Sequence, residues 1–374
     1  MIETVSAHEY RFVGTVRRGT PAAVSSDVWR AYLLGRHEWS HRSQAALRHA
    51  IDHFLIAIEL DPYLAVAHSG LADCYAALGS LSHLTPDEAF AAARQHADKA
   101  LALDPRLAEA HASLGFVRLY YDWDWPGADV AFRRAIELDP DHAPSHQWYS
   151  TYLLAAGRLD EAMREIALAH RREPLSLAVN TDLGFQLYYG GRHDEALKQL
   201  AFTLTLNANF APAHLWLGRT YQELGRFEEA LRAFRQVAQQ TGDWPVAIAA
   251  RGFVEARAGR HDEARHTLAT LERLRSTQFV TAYGMALIHA GLGQVDDTFM
   301  WLHKAIEERS NWLVWLRLDP RWDGLRPDPR FAACLSRLGF PLVNRLPAKP
   351  EHCGASGAAR RPWRGHRRSA DKRR

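Results

Sequence analysis

Five glycines recur at a fixed spacing of 34 residues, at Gly157, Gly191, Gly225, Gly259 and Gly293. The first four are followed by arginine, and four residues after each of these comes a Glu-Ala pair, ending in Ala162, Ala196, Ala230 and Ala264. A constant period of this length is the signature of a stacked helical repeat, in which each unit buries its apolar face only against its neighbours. It restricts the chain to an all-α array and turns the functional question from catalysis towards binding.

The residues of one period have separable jobs. Each glycine ends a first helix where the backbone needs a left-handed residue. An acidic pair then opens the second helix: Asp160-Glu161, Asp194-Glu195, Glu228-Glu229 and Asp262-Glu263. Carboxylates are favoured there by the partial positive charge of a helix N-terminus. The alanines let the two helices of a pair approach closely, and Gly184, Gly218 and Gly252 recur within the first helix for the same reason. Second helices stop at Pro62, Pro105, Pro140 and Pro174, with Asn207-Ala208 in the next equivalent place. The first interval is 43 residues and the others 34 or 35, which implies an insertion of about nine residues near Gly79–Asp87.

The pattern resembles the tetratricopeptide repeat, most closely in "LGRTYQELGRFEEALRAF" (Leu217–Phe234). The resemblance implies a right-handed superhelix of antiparallel helix pairs. Eight units fit residues 27–310: about 27–62, 65–105, 108–140, 143–174, 177–208, 211–242, 246–276 and 280–310. A C-terminal capping segment would follow at 311–342. In such superhelices the first helices line the concave face. One place on successive first helices reads Phe116, Thr151, Phe185, Arg219, Phe253 and Leu287, with Gln147, Tyr188, Gln222 and Tyr283 nearby. The peptide-groove candidates are therefore Phe116, Gln147, Phe185, Tyr188, Arg219, Gln222, Phe253 and Tyr283. They form an aromatic surface with one strong cation, and they lack the Lys and Asn set with which co-chaperone arrays clamp a terminal carboxylate. An apolar or aromatic peptide, or a helix laid in the groove, is the expected partner.

Residues 1–16 have a different pattern. "MIETVSAHEYRFVGTV" alternates in the manner of strands. Ile2–Val5 and Tyr10–Phe12 resemble the terminal β-hairpin, the wing, of OmpR-type winged-helix domains, although Ser6-Ala7-His8-Glu9 replaces the usual glycine turn. "GRHEWSHRS" (Gly35–Ser43), "YYDWDWPGA" (Tyr120–Ala128) and "HQWYSTYLLAAGRLDEA" (His146–Ala162) resemble bacterial winged-helix regulators that carry tetratricopeptide arrays. The implied role is the sensory or partner-binding half of a transcription regulator, with a wing remnant at 1–16, a linker at 17–26 and no DNA-recognition helix in this chain. The alternative is a regulatory subunit or module of a bacterial kinase or cyclase system.

The net charge of +3 conceals an asymmetry: residues 348–374 hold nine Lys/Arg and two Asp/Glu. The stretch 343–374 reads as a disordered basic tail, of which 348–374 is able at most to make weak, salt-dependent nucleic-acid contacts. Cys74, Cys334 and Cys353 are widely separated and odd in number, which fits a reducing compartment, and no membrane span or secretory leader is evident. The expected location is the cytoplasm. No phosphate loop, nucleophile elbow or dinucleotide fingerprint is present, so no catalytic residue or cofactor is assigned and the chain reads as non-enzymatic. Asp122 and Asp124 read as structural residues of an inter-helix turn. Of twenty histidines, His68, His111, His146 and His214 keep the repeat register and read as packing or groove residues. His49 and His53 are spaced i,i+4 but lack a third ligand, so no metal is expected.

Overall fold

The computed structural model describes residues 2–6, 9–12 and 26–341. The expected linker at 17–26, apart from Ser26, and the expected basic tail at 343–374 lie outside the described residues. Strands β1 (Ile2–Ser6) and β2 (Glu9–Phe12) pair antiparallel, Ile2 opposite Phe12, with an irregularity between Thr4 and Ser6.

The rest is a right-handed superhelix of helix pairs. The first four pairs are α1 (Ser26–Ser40) with α2 (Gln44–Leu60), α3 (Ala65–Ser80) with α4 (Pro86–Leu103), α5 (Ala108–Val117) with α6 (Trp125–Leu138), and α7 (Ala143–Ala155) with α8 (Leu159–Arg172). Four more follow: α9 (Leu177–Tyr189) with α10 (His193–Leu206), α11 (Ala211–Glu223) with α12 (Phe227–Thr241), α13 (Pro245–Arg257) with α14 (His261–Leu274), and α15 (Ala282–Gly291) with α16 (Val295–Glu307). First helices also touch the first helices of neighbouring pairs, so they form the inner layer. Every residue of α7 is buried, the mark of a helix covered on all sides, whereas α8 and α12 bury only one stripe.

The corner between the helices of a pair explains the glycine register. Gly157 has φ 82°, and its N–H and that of Arg158 donate to the carbonyls of Leu154 and Leu153. This closes the α7 C-terminus with two bonds that require a left-handed residue. Gly191, Gly225, Gly259 and Gly293 adopt the same conformation. In the first three pairs the left-handed corner residues are Arg42, Ser82 and Trp123, which have no place in a glycine pattern. The arginine after each glycine also has a partner. Arg158, Arg192 and Arg226 reach the first-turn Glu161, Glu195 and Glu229, while Arg260 turns instead to Glu228 of the preceding pair. These pairs are largely exposed and contribute little stability singly. Ala162, Ala196, Ala230 and Ala264 are fully buried.

The described residues 311–341 pack both on the end of the array and on its inner side. Helix α17 (Pro329–Arg337) does cover α16, with Arg330 bonded to Asp296 and its guanidinium over Phe299. Before it, two 3-10 turns at Asn311–Trp315 and Pro320–Leu325 run along the inside of the superhelix. Trp312, Trp315 and Trp322 are all buried there. A terminal cap presents a polar outer face; this segment has three tryptophans within eleven residues, and the apolar inner layer takes them up.

Gly218 tests how tight the array is. A Cβ there would sit 2.5 Å from Cε1 of the buried Phe234 ring. Gly218→Ala is expected to lower stability by about 1–3 kcal/mol from overpacking, although alanine favours the helix. Thermal unfolding followed by circular dichroism checks this; an unchanged or raised midpoint would show that the ring gives way freely.

Candidate binding site on the inner face

Polar rungs join successive first helices beneath the inner surface. Asp73 on α3 accepts from Arg36 on α1 at 3.0 Å and from Ser113 on α5 at 2.7 Å. Gln147 on α7 donates to Asp182 on α9 at 2.7 Å, and Gln186 donates to Ser150 at 2.6 Å. Burial pushes the Asp182 carboxyl up to about 6, against the Gln147 hydrogen bond and the positive charge of Arg42. Burial does the same to Asp73, up to about 6, despite its arginine and serine partners.

The segment 311–325 engages this face along its length. Asn311 donates to the Ser80 carbonyl at 2.8 Å and accepts from the Ser82 hydroxyl at 3.2 Å, and Trp312 Nε1 donates to that hydroxyl at 3.1 Å. Trp315 stacks on Tyr189 with centroids 5.1 Å apart and meets Phe185 edge-on at 5.5 Å. Arg317 donates to the Ala155 carbonyl. Trp322 Nε1 donates to the Tyr283 hydroxyl, which donates to Asp319, which in turn is paired with Arg321 at 2.5 Å. Burial would raise the Asp319 carboxyl, but the Arg321 charge and hydrogen bonds outweigh it and hold it below the usual range. The insertion near Gly79–Asp87 supplies Ser80 and Ser82 as the landing point. It also offers the Leu81 carbonyl to Trp244 Nε1 at 2.8 Å, joining the second helix pair to the seventh.

All eight groove candidates are buried, and they divide into two groups. Phe116, Gln147 and Phe185 line a half-open cavity of about 150 Å³ on the inner face, together with Arg42, Asp182, Trp148 and other residues. Tyr188, Arg219, Gln222, Phe253 and Tyr283 are not among its lining. Tyr283 holds Asp319 and Trp322 of the inner segment. Arg219 lies between Trp216 and Trp312, 4.6 and 4.5 Å from the ring centres. Its Nε and Nη1 have no hydrogen-bond partner, and burial lowers its pKa to about 10. Tyr188 packs against Trp216, Phe253 lies beside Gly291, and Gln222 donates to Glu223. The chain's own segment lies against the inner face from α3 to α15, with Arg219 and Tyr283 among the candidates that it meets. The residues that the repeat register did not point to are Arg42, Thr181, Asp182, Trp148, Trp312 and Trp315. The density of tryptophan in 311–322 was the one signal available for the last two.

The histidines in register have a structural task. Nε2 of His111, His146 and His214 lies 2.9–3.0 Å from the carbonyls of Pro105, Pro140 and Ala208, six residues back. A carbonyl only accepts, so Nε2 carries the proton in each. Asn180 makes the same bond to Pro174 through Nδ2. Asp122 accepts from Arg94, and Asp124 caps α6 by accepting from the Gly127 N–H. Among the described residues no group of three His, Cys, Asp or Glu side chains is gathered for a metal ion.

Two family models described as tetratricopeptide repeat match residues 131–164 and 187–252. These helix pairs are tetratricopeptide repeats. The protein is a scaffold of the tetratricopeptide protein–protein interaction type. A curated relative, the transcriptional regulator HilA of Salmonella typhimurium, is 25% identical over 174 residues, covering 46% of this chain and 31% of that protein. The chain thus spans less than a third of the length of the curated relatives it matches (31%). Among solved structures, PilW, a type IV pilus biogenesis factor, is 19% identical with TM-score 0.46, covering 62% of this chain and 98% of that one. PilF of Pseudomonas aeruginosa is 23% identical with TM-score 0.40, covering 56% and 95%. Among the described residues no helix is long and apolar enough to cross a membrane.

Two substitutions separate the contributions of the inner segment. Trp312→Ala removes the ring from Arg219 and the bond to Ser82. It is expected to cost about 3–5 kcal/mol in thermal or denaturant unfolding. Arg219→Met replaces a buried cation that has two unpartnered donors with an apolar chain of similar length, and is expected to be neutral or stabilising. If it costs as much as Trp312→Ala, the cation rather than the ring holds the segment.

His146 carries a second test. Its Nδ1 lies 2.6 Å from Glu165 Oε2. Burial opposes protonation, but the Glu165 and Pro140 bonds prevail and raise the pKa. The stabilisation is therefore complete below the unfolded value of about 6.5 and is lost as pH rises through the higher folded value. His146→Asn, which keeps the Asn180-type bond, is expected to flatten that pH dependence at a smaller cost than His146→Ala, which should lose about 1 kcal/mol or more at pH 6. Unfolding midpoints at pH 5.5 and 8 decide the matter.

Proposed function

We propose that this array is the partner-binding half of a winged-helix transcription regulator acting in the cytoplasm, with a binding rather than a catalytic role. The observation that carries the reading is the match to HilA, a transcriptional regulator, over 174 residues. The β1–β2 hairpin ahead of the first helix pair, with its "ETV" and "YRF" strands, supports the same parentage. The two described thiols, Cys74 and Cys334, are free and buried, in keeping with a reducing compartment.

The partner is a protein or peptide with an apolar, aromatic segment, bound on the concave face. The support is internal: that face already binds such a segment, Asn311–Leu325, through ring stacking and single hydrogen bonds to helix-end carbonyls. This is how extended peptides are held in helical grooves.

Deleting the gene in its host and sequencing the transcripts tests the role. A discrete set of genes should change, and full-length protein should restore it. Protein carrying Phe185→Asp, if still folded, should restore it poorly. An unchanged transcript profile would reject the transcriptional role and leave the scaffold standing.

A further inference from the structure

The inner cavity has a composition that neither packing nor the repeat pattern requires. Its volume, about 150 Å³, is on the order of that which admits a single benzene-sized molecule when the walls are apolar. Phe116, Trp148, Phe185 and Trp216 contribute rings from four successive first helices, and Trp312 and Trp315 add two from the inner segment. One wall is polar. Asp182 lies there with Gln147 as its hydrogen-bond partner at 2.7 Å. Beside it Thr181, 3% exposed, lines the cavity with a hydroxyl that has no hydrogen-bond partner. A buried hydroxyl without a partner is costly, and such groups are uncommon unless something fills the place.

Charge decides what fits. Arg42 also lines the cavity; its guanidinium lies over the Trp39 ring, 3.6 Å from the centroid, and its charge reaches Asp182 without overcoming the effect of burial on that carboxyl. Aromatic faces attract cations through their quadrupole and offer nothing to an anion. The Asp182 carboxylate repels anions as well. A cation with an apolar body gains from both: its charged end meets Asp182 and Thr181, and its body replaces water against the rings.

We propose that this cavity is a binding site for a small organic cation with a single-ring apolar body, an arylalkylamine being the simplest match, its ammonium on Asp182 and Thr181 and its ring among Trp148, Phe185 and Trp312. Because Trp312 and Trp315 form part of the wall, the ligand would also fasten the inner segment to α7 and α9. The inference stands on the cavity alone and does not depend on the transcriptional role.

The probe is 2-phenylethylamine, titrated into the full-length protein by calorimetry and by tryptophan fluorescence. The controls are 2-phenylethanol, phenylacetate and a short peptide with a central lysine. The amine should bind saturably with 1:1 stoichiometry, the alcohol at least tenfold more weakly and phenylacetate not at all. Asp182→Asn keeps the shape and an acceptor for Gln147. It should fold with an equal or higher melting temperature at pH 7.5, because burial disfavours the charge it removes. It should also abolish the tenfold preference for amine over alcohol. Thr181→Val should weaken the amine severalfold. Equal affinity for amine and alcohol, or a preference that survives Asp182→Asn, would overturn the assignment. Tighter binding of phenylacetate would transfer the site to Arg42 and overturn it too, and binding of the lysine peptide without the amine would make the cavity a side-chain pocket for a protein partner.

Discussion

The structure depends on the seat that the first helices provide for the chain's own segment 311–325. A tetratricopeptide array is held together by contacts between neighbours, so its curvature is free to vary by small rotations at each interface. Here the freedom is removed from the inside. Trp312 is bonded to Ser82, Arg317 to the Ala155 carbonyl, and Trp322 and Asp319 to Tyr283, so one short segment ties the second, fourth and eighth pairs together. Trp244, bonded to the Leu81 carbonyl, closes the seventh pair onto the second. A quasi-linear stack is thereby converted into a closed turn with contacts more than 160 residues apart in sequence. Such long-range closures carry a loop entropy cost that only a cooperative set of contacts overcomes.

The buried charges on this face suit specificity better than stability. Asp319 and Arg321 are almost wholly excluded from solvent, and desolvating two ions offsets most of their attraction. Their use is positional. Arg321 keeps Asp319 ionised, Asp319 orients the Tyr283 hydroxyl, and Tyr283 accepts from Trp322. Only one register of the segment brings all four groups together, although Arg321 Nη1 is left without a partner. Arg219 is the opposite case, a cation with rings above and below and two unpartnered donors.

Much of the array was legible because its constraints are local. A left-handed corner with no room for strain selects glycine, and the 34-residue spacing of Gly157 to Gly293 follows from that geometry. Corners with other residues, Arg42, Ser82 and Trp123, escape such a reading, because context holds them in a conformation that their side chains disfavour. The inner face was half legible. Helical periodicity pointed to residues of the first helices that the structure buries, Phe116, Phe185 and Tyr283 among them, but periodicity says nothing about what lies opposite. The occupant, Asn311–Leu325, is irregular backbone and has no period to detect. The insertion near Gly79–Asp87 stood out as a break in spacing, yet its role as the segment's landing point is a contact across about 230 residues.

That division bears on how the scaffold binds. A groove that is open when unliganded presents its aromatic surface to water, an exposure that folded chains usually avoid. In this chain 311–325 lies along that surface, and the pocket bounded by Asp182, Thr181 and the tryptophans of the same segment opens beside it. Segment and cavity are therefore one unit: a molecule that fills the cavity adds contacts to Trp312 and Trp315 only when the segment is seated. On the proposed reading, a protein partner would take the segment's place and meet Tyr189, Tyr283 and the Ser82 corner only when the segment is unseated. Two ligands that favour opposite positions of one segment are coupled by thermodynamic necessity, each weakening the other by the same factor. Were the proposed cation and the proposed partner to favour opposite positions of 311–325, occupancy of the small cavity would be read as affinity for a macromolecule.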